Sequence, residues 1–276
     1  MTLTRTRVTL GAAAMLCAVA ASVLAFAVPQ SQAATVINSG DLIRGQSFSA
    51  VYYVGADGFR YVFPNDKAYF TWYTNFDTVK VITDAELSKI QIGGNITYKP
   101  GVKMVKINTD PKTYAVDAGG TLRHVGSEAV AVALYGSAWN TKIDDIADGF
   151  FPNYTIGSAI TMITADHTSE SFYSTTEAMA GASSINTDKE LQVSADISIT
   201  DNGFVPELIE VEIGQSIRFT NNGSVNHTAT ADDLSWGTGT LKPGESFIKK
   251  GQIIIDSSMD TYFDSYDSSN TGTIQF

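Results

Sequence analysis

The residues of this 276-residue chain best suited to hold an ion are one histidine and one loop. His227 opens the β-forming stretch His227-Thr228-Ala229-Thr230. Phe263-Asp264-Ser265-Tyr266-Asp267-Ser268-Ser269-Asn270 is an acidic, hydroxyl-rich loop ahead of the last strand. An imidazole with carboxylate and amide oxygens suits a hard divalent ion, provided the groups converge. Asp256 and Asp260 add negative charge nearby in sequence. The competing reading is structural: a histidine hydrogen-bonded at a strand rim and a solvated loop without EF-hand spacing. Other chemistry finds no residue set. His124 and His167 are far apart with no metal-type spacing. No Gly-x-Ser-x-Gly elbow frames a nucleophile, and neither a phosphate-binding glycine loop nor a His-Glu-x-x-His motif is present. The expectation is a protein without enzymatic activity.

These residues must be positioned by strands. From Leu191 onward the pattern has period two: Leu208, Glu210 and Glu212 alternate with Ile209, Val211 and Ile213, and Ile217 and Phe219 follow Gly214-Gln215. Turn signals at Asn222-Gly223, Trp236-Gly237, Pro243-Gly244 and Gly272 divide residues 191–276 into the short strands of a Greek-key β-sandwich.

Residues 38–163 carry an internal repeat. Tyr53–Val62 is echoed by Tyr114–Val125, each copy reading as two short strands around a turn, at Asp57-Gly58 and Gly119-Gly120. A short helix follows in each, capped by Asn65 over 66–73 and by Ser127 over 128–135. Thr83 with Glu86 is a capping box for a further helix up to Ile90. A unit of roughly 60 residues that recurs once predicts two similar lobes. Residues 164–190, rich in Ser, Thr and Ala without a period, read as a linker to which Phe172 and Tyr173 add aromatic anchors. The fold class expected is mainly β with some α, a duplicated α+β module followed by the sandwich.

Two resemblances follow. Ile199 with Phe204 and Pro206, Val211 with Gly214, Phe219 with Asn221, His227–Thr230 and Leu241–Phe247 together resemble the cupredoxin family, the blue-copper sandwiches similar to plastocyanin. That resemblance implies a copper ligand at His227, and further ligands from the loop before the last strand. There Asp264 stands in the place of the family's cysteine, Asp267 in that of its second histidine and Asn270 in that of its methionine. A blue-copper site depends on a thiolate and two imidazoles, so the resemblance implies a sandwich that has lost its type 1 copper. His227, Asp264, Asp267 and Asn270 remain as candidate ligands for copper, zinc or calcium. A metal-handling or electron-transferring cupredoxin is the alternative function. Separately, Gly55–Pro64, Trp72-Tyr73 with Trp139, and Val79–Asp84 resemble modules of large bacterial cell-surface and exported proteins.

Location follows from the start of the chain. Arg5 and Arg7 precede an uncharged run from Leu10 to Val28, and Ser31-Gln32-Ala33 offers a cleavage site, so 1–33 reads as a signal peptide, with a retained anchor as the alternative. The only cysteine, Cys17, falls inside it, leaving the exported chain without disulfide or thiolate. Without residues 1–33 the chain has 16 basic against 29 acidic residues, a balance of −13, which argues against nucleic acid and anionic lipid as partners. The expected setting is extracellular or in the cell envelope, with no membrane span after cleavage. The expected partner is another envelope or extracellular component, and cell-wall polysaccharide is a candidate. Phe59, Tyr61 and Phe63 alternate onto one strand face, as either a sugar-stacking platform or core. Sequons begin at Asn95, Asn153, Asn222 and Asn226.

Overall fold

The computed structural model describes residues 2, 35–160, 174–251 and 259–276. The expected signal segment (apart from Thr2), His167, Phe172, Tyr173 and Asp256 lie outside them. Residues Thr35–Phe276 form one compact unit. Its described residues are mainly β with some α: four sheets and short helices. No helix among the described residues is long and apolar enough to cross a membrane.

The first lobe runs β1 (Leu42–Gly45), β2 (Tyr52–Val54), β3 (Arg60–Val62), α1 (Asp66–Trp72), β4 (Val79–Ile82), α2 (Asp84–Ser88) and β5 (Ile92–Asn95). The second runs β6 (Met104–Ile107), β7 (Asp110–Asp117), β8 (Thr121–His124), α3 (Glu128–Tyr135), β9 (Ile143–Asp145) and β10 (Thr155–Ile156). Their sheets are threaded alike. The first has the order β4-β1-β2-β3-β5, the second β9-β6-β7-β8-β10, with antiparallel hairpin strands at the centre and a parallel strand on each edge. Local chemistry sets the helix starts. The Asn65 side chain accepts from the Ala68 N–H, Ser127 from Val130 N–H, and Thr83 forms a complete capping box with Glu86. Phe59, Tyr61 and Phe63 are 4%, 4% and 6% exposed and pack on Leu42, Val51 and Tyr69, so the stripe is core rather than a sugar platform.

Where a linker was expected, residues 174–190 carry α4 (Thr175–Gly181) and α5 (Ile185–Asp188). Ser174 and Ser184 cap them, and Ala178, Ala182 and Ile185 are buried. Helices of one or two turns are too short to leave a period in the sequence. From α5, the Asn186 side chain accepts from the Ala56 N–H and Asp188 accepts from the Gly119 N–H, tying the segment to both lobes.

The sandwich is built from β11 (Ala195–Thr200), β12 (Gly203–Val205), β13 (Leu208–Glu210), β14 (Ile217–Asn221), β15 (Thr230–Ala231), β16 (Ser246–Lys249), β17 (Met259–Asp264) and β18 (Asp267–Gln275). The sheets have the orders β12-β11-β14-β16 and β13-β18-β17-β15, and the chain changes sheet at most connections, as Greek-key winding requires. Ile197, Ile199, Ile217 and Phe219 from one sheet meet Tyr262 and Ile274 from the other in a single core. Burying a side chain such as Phe219 contributes roughly 1.5–3 kcal/mol.

The sandwich does not stand apart from the lobes. Ile248 of β16 packs into the core of the first lobe beside Leu42 and Phe59. β16 is an edge strand, and its free peptide groups at Ile248 are met by the Gln91 side-chain amide. That amide donates to the Ile248 carbonyl at 3.1 Å and accepts from the Ile248 N–H at 2.6 Å. Gln91 thus stands in for one residue of a missing strand.

Candidate functional site

Alternation along β17 directs Tyr262 and Asp264 to the same inner face, and a register shift at Phe263/Asp264 sets the carboxylate at the end of the core. Asp264 is fully buried and His227 is 3% exposed. His227 is held across from Leu241 by a reciprocal pair of backbone hydrogen bonds at 3.1 and 2.8 Å. A carboxylate in such a place requires a partner. It has one: Asp264 Oδ2 lies 2.6 Å from His227 Nδ1. Its other oxygen accepts from the Thr228 N–H at 2.9 Å, the Thr228 hydroxyl at 3.3 Å and the Tyr266 N–H at 3.0 Å.

The second ring nitrogen is also taken. His227 Nε2 lies 3.1 Å from Asp201 Oδ1, and Asp201 accepts from the Ser224 N–H at 2.8 Å and the Ser224 hydroxyl at 2.7 Å. Asp201 belongs to the β11–β12 turn, where the sequence suggests only a turn residue. Gly223 lets these groups meet, since a Cβ there would fall 2.3 Å from Asp201 Oδ1 and 2.8 Å from His227 Nε2. Burial acts to lower the His227 pKa, but its hydrogen bonds to Asp264 and Asp201, with their charges, outweigh it and raise the pKa. The Ser224 hydroxyl, then His227, lower that of Asp201 to about 2. The imidazole therefore sits between two carboxyl groups, one in the core and one at the rim, which together favour its protonated form.

Of the four residues at the copper-ligand positions implied by the cupredoxin resemblance, two come together and two do not. Asp267 is exposed at the start of β18 and is engaged locally, accepting from the Ser269 hydroxyl at 2.6 Å and N–H at 3.1 Å, which lower its pKa. Asn270 is in β18 with its amide against Gly203. The described residues do not fit a type 1 copper centre. They include no cysteine, and the one imidazole at the position has both ring nitrogens committed to carboxylates. Among the described residues no group of three His, Cys, Asp or Glu is arranged to hold a metal ion. Asp201 and Asp264 each bond to His227, on opposite ring nitrogens, rather than converge with it on a shared centre. His124 is elsewhere, on β8 against the Tyr114 ring.

No protein-family model matches the chain, and no curated protein matches it. Solved structures match part of it. A purple cupredoxin from Nitrosopumilus maritimus is 19% identical, with 30% of this chain and 98% of that one covered and a TM-score of 0.27. A copper-containing nitrite reductase from Thermus scotoductus is 18% identical over 30% of this chain and 22% of its own, with a TM-score of 0.28. An amicyanin variant is 11% identical over 30% and 80%, with a TM-score of 0.27. The sandwich itself is established by the strand pairing within this chain.

Proposed function

We propose that the chain is a non-enzymatic binding protein of the cell envelope or extracellular space, whose cupredoxin-like sandwich has exchanged a copper centre for an internal ion pair. The observation that carries this reading is the imidazole of His227 clamped between Asp264 and Asp201. A protonated imidazole has no lone pair for a metal, and a carboxylate in the cysteine position lacks the soft donor that Cu(I) needs. The buried cation does structurally what a metal would do, gathering the loops at that end of the sandwich. The test is Cu(II) titration of the full chain, followed by visible absorption and bound-metal content. No intense visible band and no stoichiometric copper are expected. An intense band with one copper bound, both abolished by His227→Ala, would overturn the reading.

A second reading concerns the partner and rests on the first lobe. A cleft of about 520 Å³ beside α1 is lined by Phe63, Tyr69, Phe76, Asn95 and Phe150. Phe76 is 47% exposed and stacks on Tyr69 at 4.4 Å, and Phe70 packs edge-on against Phe76. Exposed rings beside amide groups suit a saccharide face, and cell-wall polysaccharide is the partner proposed. The full chain should be retained on cell-wall material and Phe76→Ala should not be. Equal retention of both sinks this reading.

A further inference from the structure

The molecule has a second cavity, unrelated to the clamp, where the first lobe, the chain after α5 and the sandwich meet. It measures about 540 Å³, within the usual range of small-molecule sites. We propose that it binds a small organic carboxylate, held between Lys189 and Lys250 with its carbon body against Tyr61, Leu191 and Ile213.

The charges make the case. In a chain with an excess of acidic residues, two ammonium groups line one cavity, and neither makes an ion pair or side-chain hydrogen bond with a described residue. Lys189 is half-buried with its Nζ 5.3 Å from the centre of the Tyr61 ring, and the charges of Asp188 and Asp57 act on it without an ion-pair contact. Lys250 is near enough to act on both Lys189 and Asp57, and burial, the largest influence, pushes the Lys189 pKa down. Two acids also line the cavity. Asp57 is committed within its own hairpin, accepting from the Tyr61 hydroxyl at 2.5 Å and the Phe59 N–H at 3.3 Å. Glu190 is exposed at the rim, in left-handed backbone with φ +52°. Strained backbone of this kind collects at ligand sites.

The walls select the body of the ligand. Tyr61, Leu191 and Ile213 offer carbon surface, which inorganic phosphate cannot use and a carboxylate on a ring or short chain can. An occupant would also bridge three separate stretches of chain and so stabilise the folded state alone.

This inference rests on reading the chain as a binding protein, but not on the copper position. Copper uptake at His227 would sink the proposed function and leave the cavity untouched, whereas a silent cavity in a copper-free protein would sink only this proposal. The probes are benzoate, glucuronate, inorganic phosphate and uncharged glucose, each titrated into the full chain by calorimetry and thermal shift. Saturable binding of benzoate or glucuronate is expected, with a raised Tm, weakening in high salt, little response to phosphate and none to glucose. Lys189→Gln and Lys250→Gln should each weaken it at least about tenfold, equivalent to about 1.4 kcal/mol. Lys250 is exposed, so its variant keeps the fold and the test stays decisive. The proposal is overturned by no saturable binding of either carboxylate, by phosphate binding as tightly, or by Lys250→Gln binding like the parent.

Discussion

A histidine buried with a carboxylate on each ring nitrogen has its protonated form favoured, and that preference ties stability to pH. The His227 pKa is raised above its ordinary 6.5. Its contribution is therefore complete below about 6.5 and is lost as pH rises through the folded-state value. The Asp201 pKa is lowered from 3.8 to about 2, so its contribution is present above 3.8 and is lost as pH falls through about 2. The Tm should decline on the alkaline side as His227 loses its proton, and His227→Gln should flatten that decline. An unchanged alkaline slope in the variant would show that the clamp is not its source. Asp264→Ala strands a buried cation and should cost about 3–5 kcal/mol in denaturant unfolding. Two members of this clamp, His227 and Asp264, were legible because their residue types stand out at positions matched to a known pattern. Asp201 was not: an Asp before Asn-Gly reads as a turn residue, and only the tertiary fold brings it to Nε2. Asp267 and Asn270 stand in the same pattern, but Asp267 bonds to Ser269 on its own strand and Asn270 lies against Gly203.

Among the elements, short-range chemistry was the most readable. Asn65, Thr83 and Ser127 were recognisable as caps because a capping side chain reaches only two or three residues ahead. Asn65→Ala should lower stability by about 1 kcal/mol. That corresponds to a Tm lowered by about 2–4 °C for a chain of this size. No measurable change would mean that α1 is held by the Tyr69 and Phe63 packing alone. The hairpins were legible from Asp57-Gly58 and Gly119-Gly120, and the sandwich strands from period-two alternation. The helices of 174–190 were hidden because Ser and Ala serve equally as linker and as capped, closely packed helix. Glu190, directly after α5, was hidden too, since nothing in the residue type predicts left-handed backbone. Replacing it with glycine relieves about 1–2 kcal/mol of backbone strain and should raise the Tm.

The whole molecule is a set of lobes and a sandwich that share side chains, most plainly at Ile248 and Gln91. Ile248→Ala removes a side chain from the core of the first lobe and should cost about 2–5 kcal/mol. It should also split a single melting transition into two. A single transition at unchanged Tm would mean the seam carries no stability. The sequence could not reveal this seam, because its residues are 157 positions apart and their pairing depends on where two independent folding patterns happen to abut. The Gln91 amide has a further consequence, which concerns solubility. It meets the bare peptide groups that the edge strand β16 would otherwise offer to another chain at Ile248. Residues 191–276 expressed alone would present that edge as a template for a neighbouring copy, and size-exclusion chromatography should find the fragment self-associated where the full chain is not. In the full chain that edge is met at Ile248 by a side chain of the first lobe.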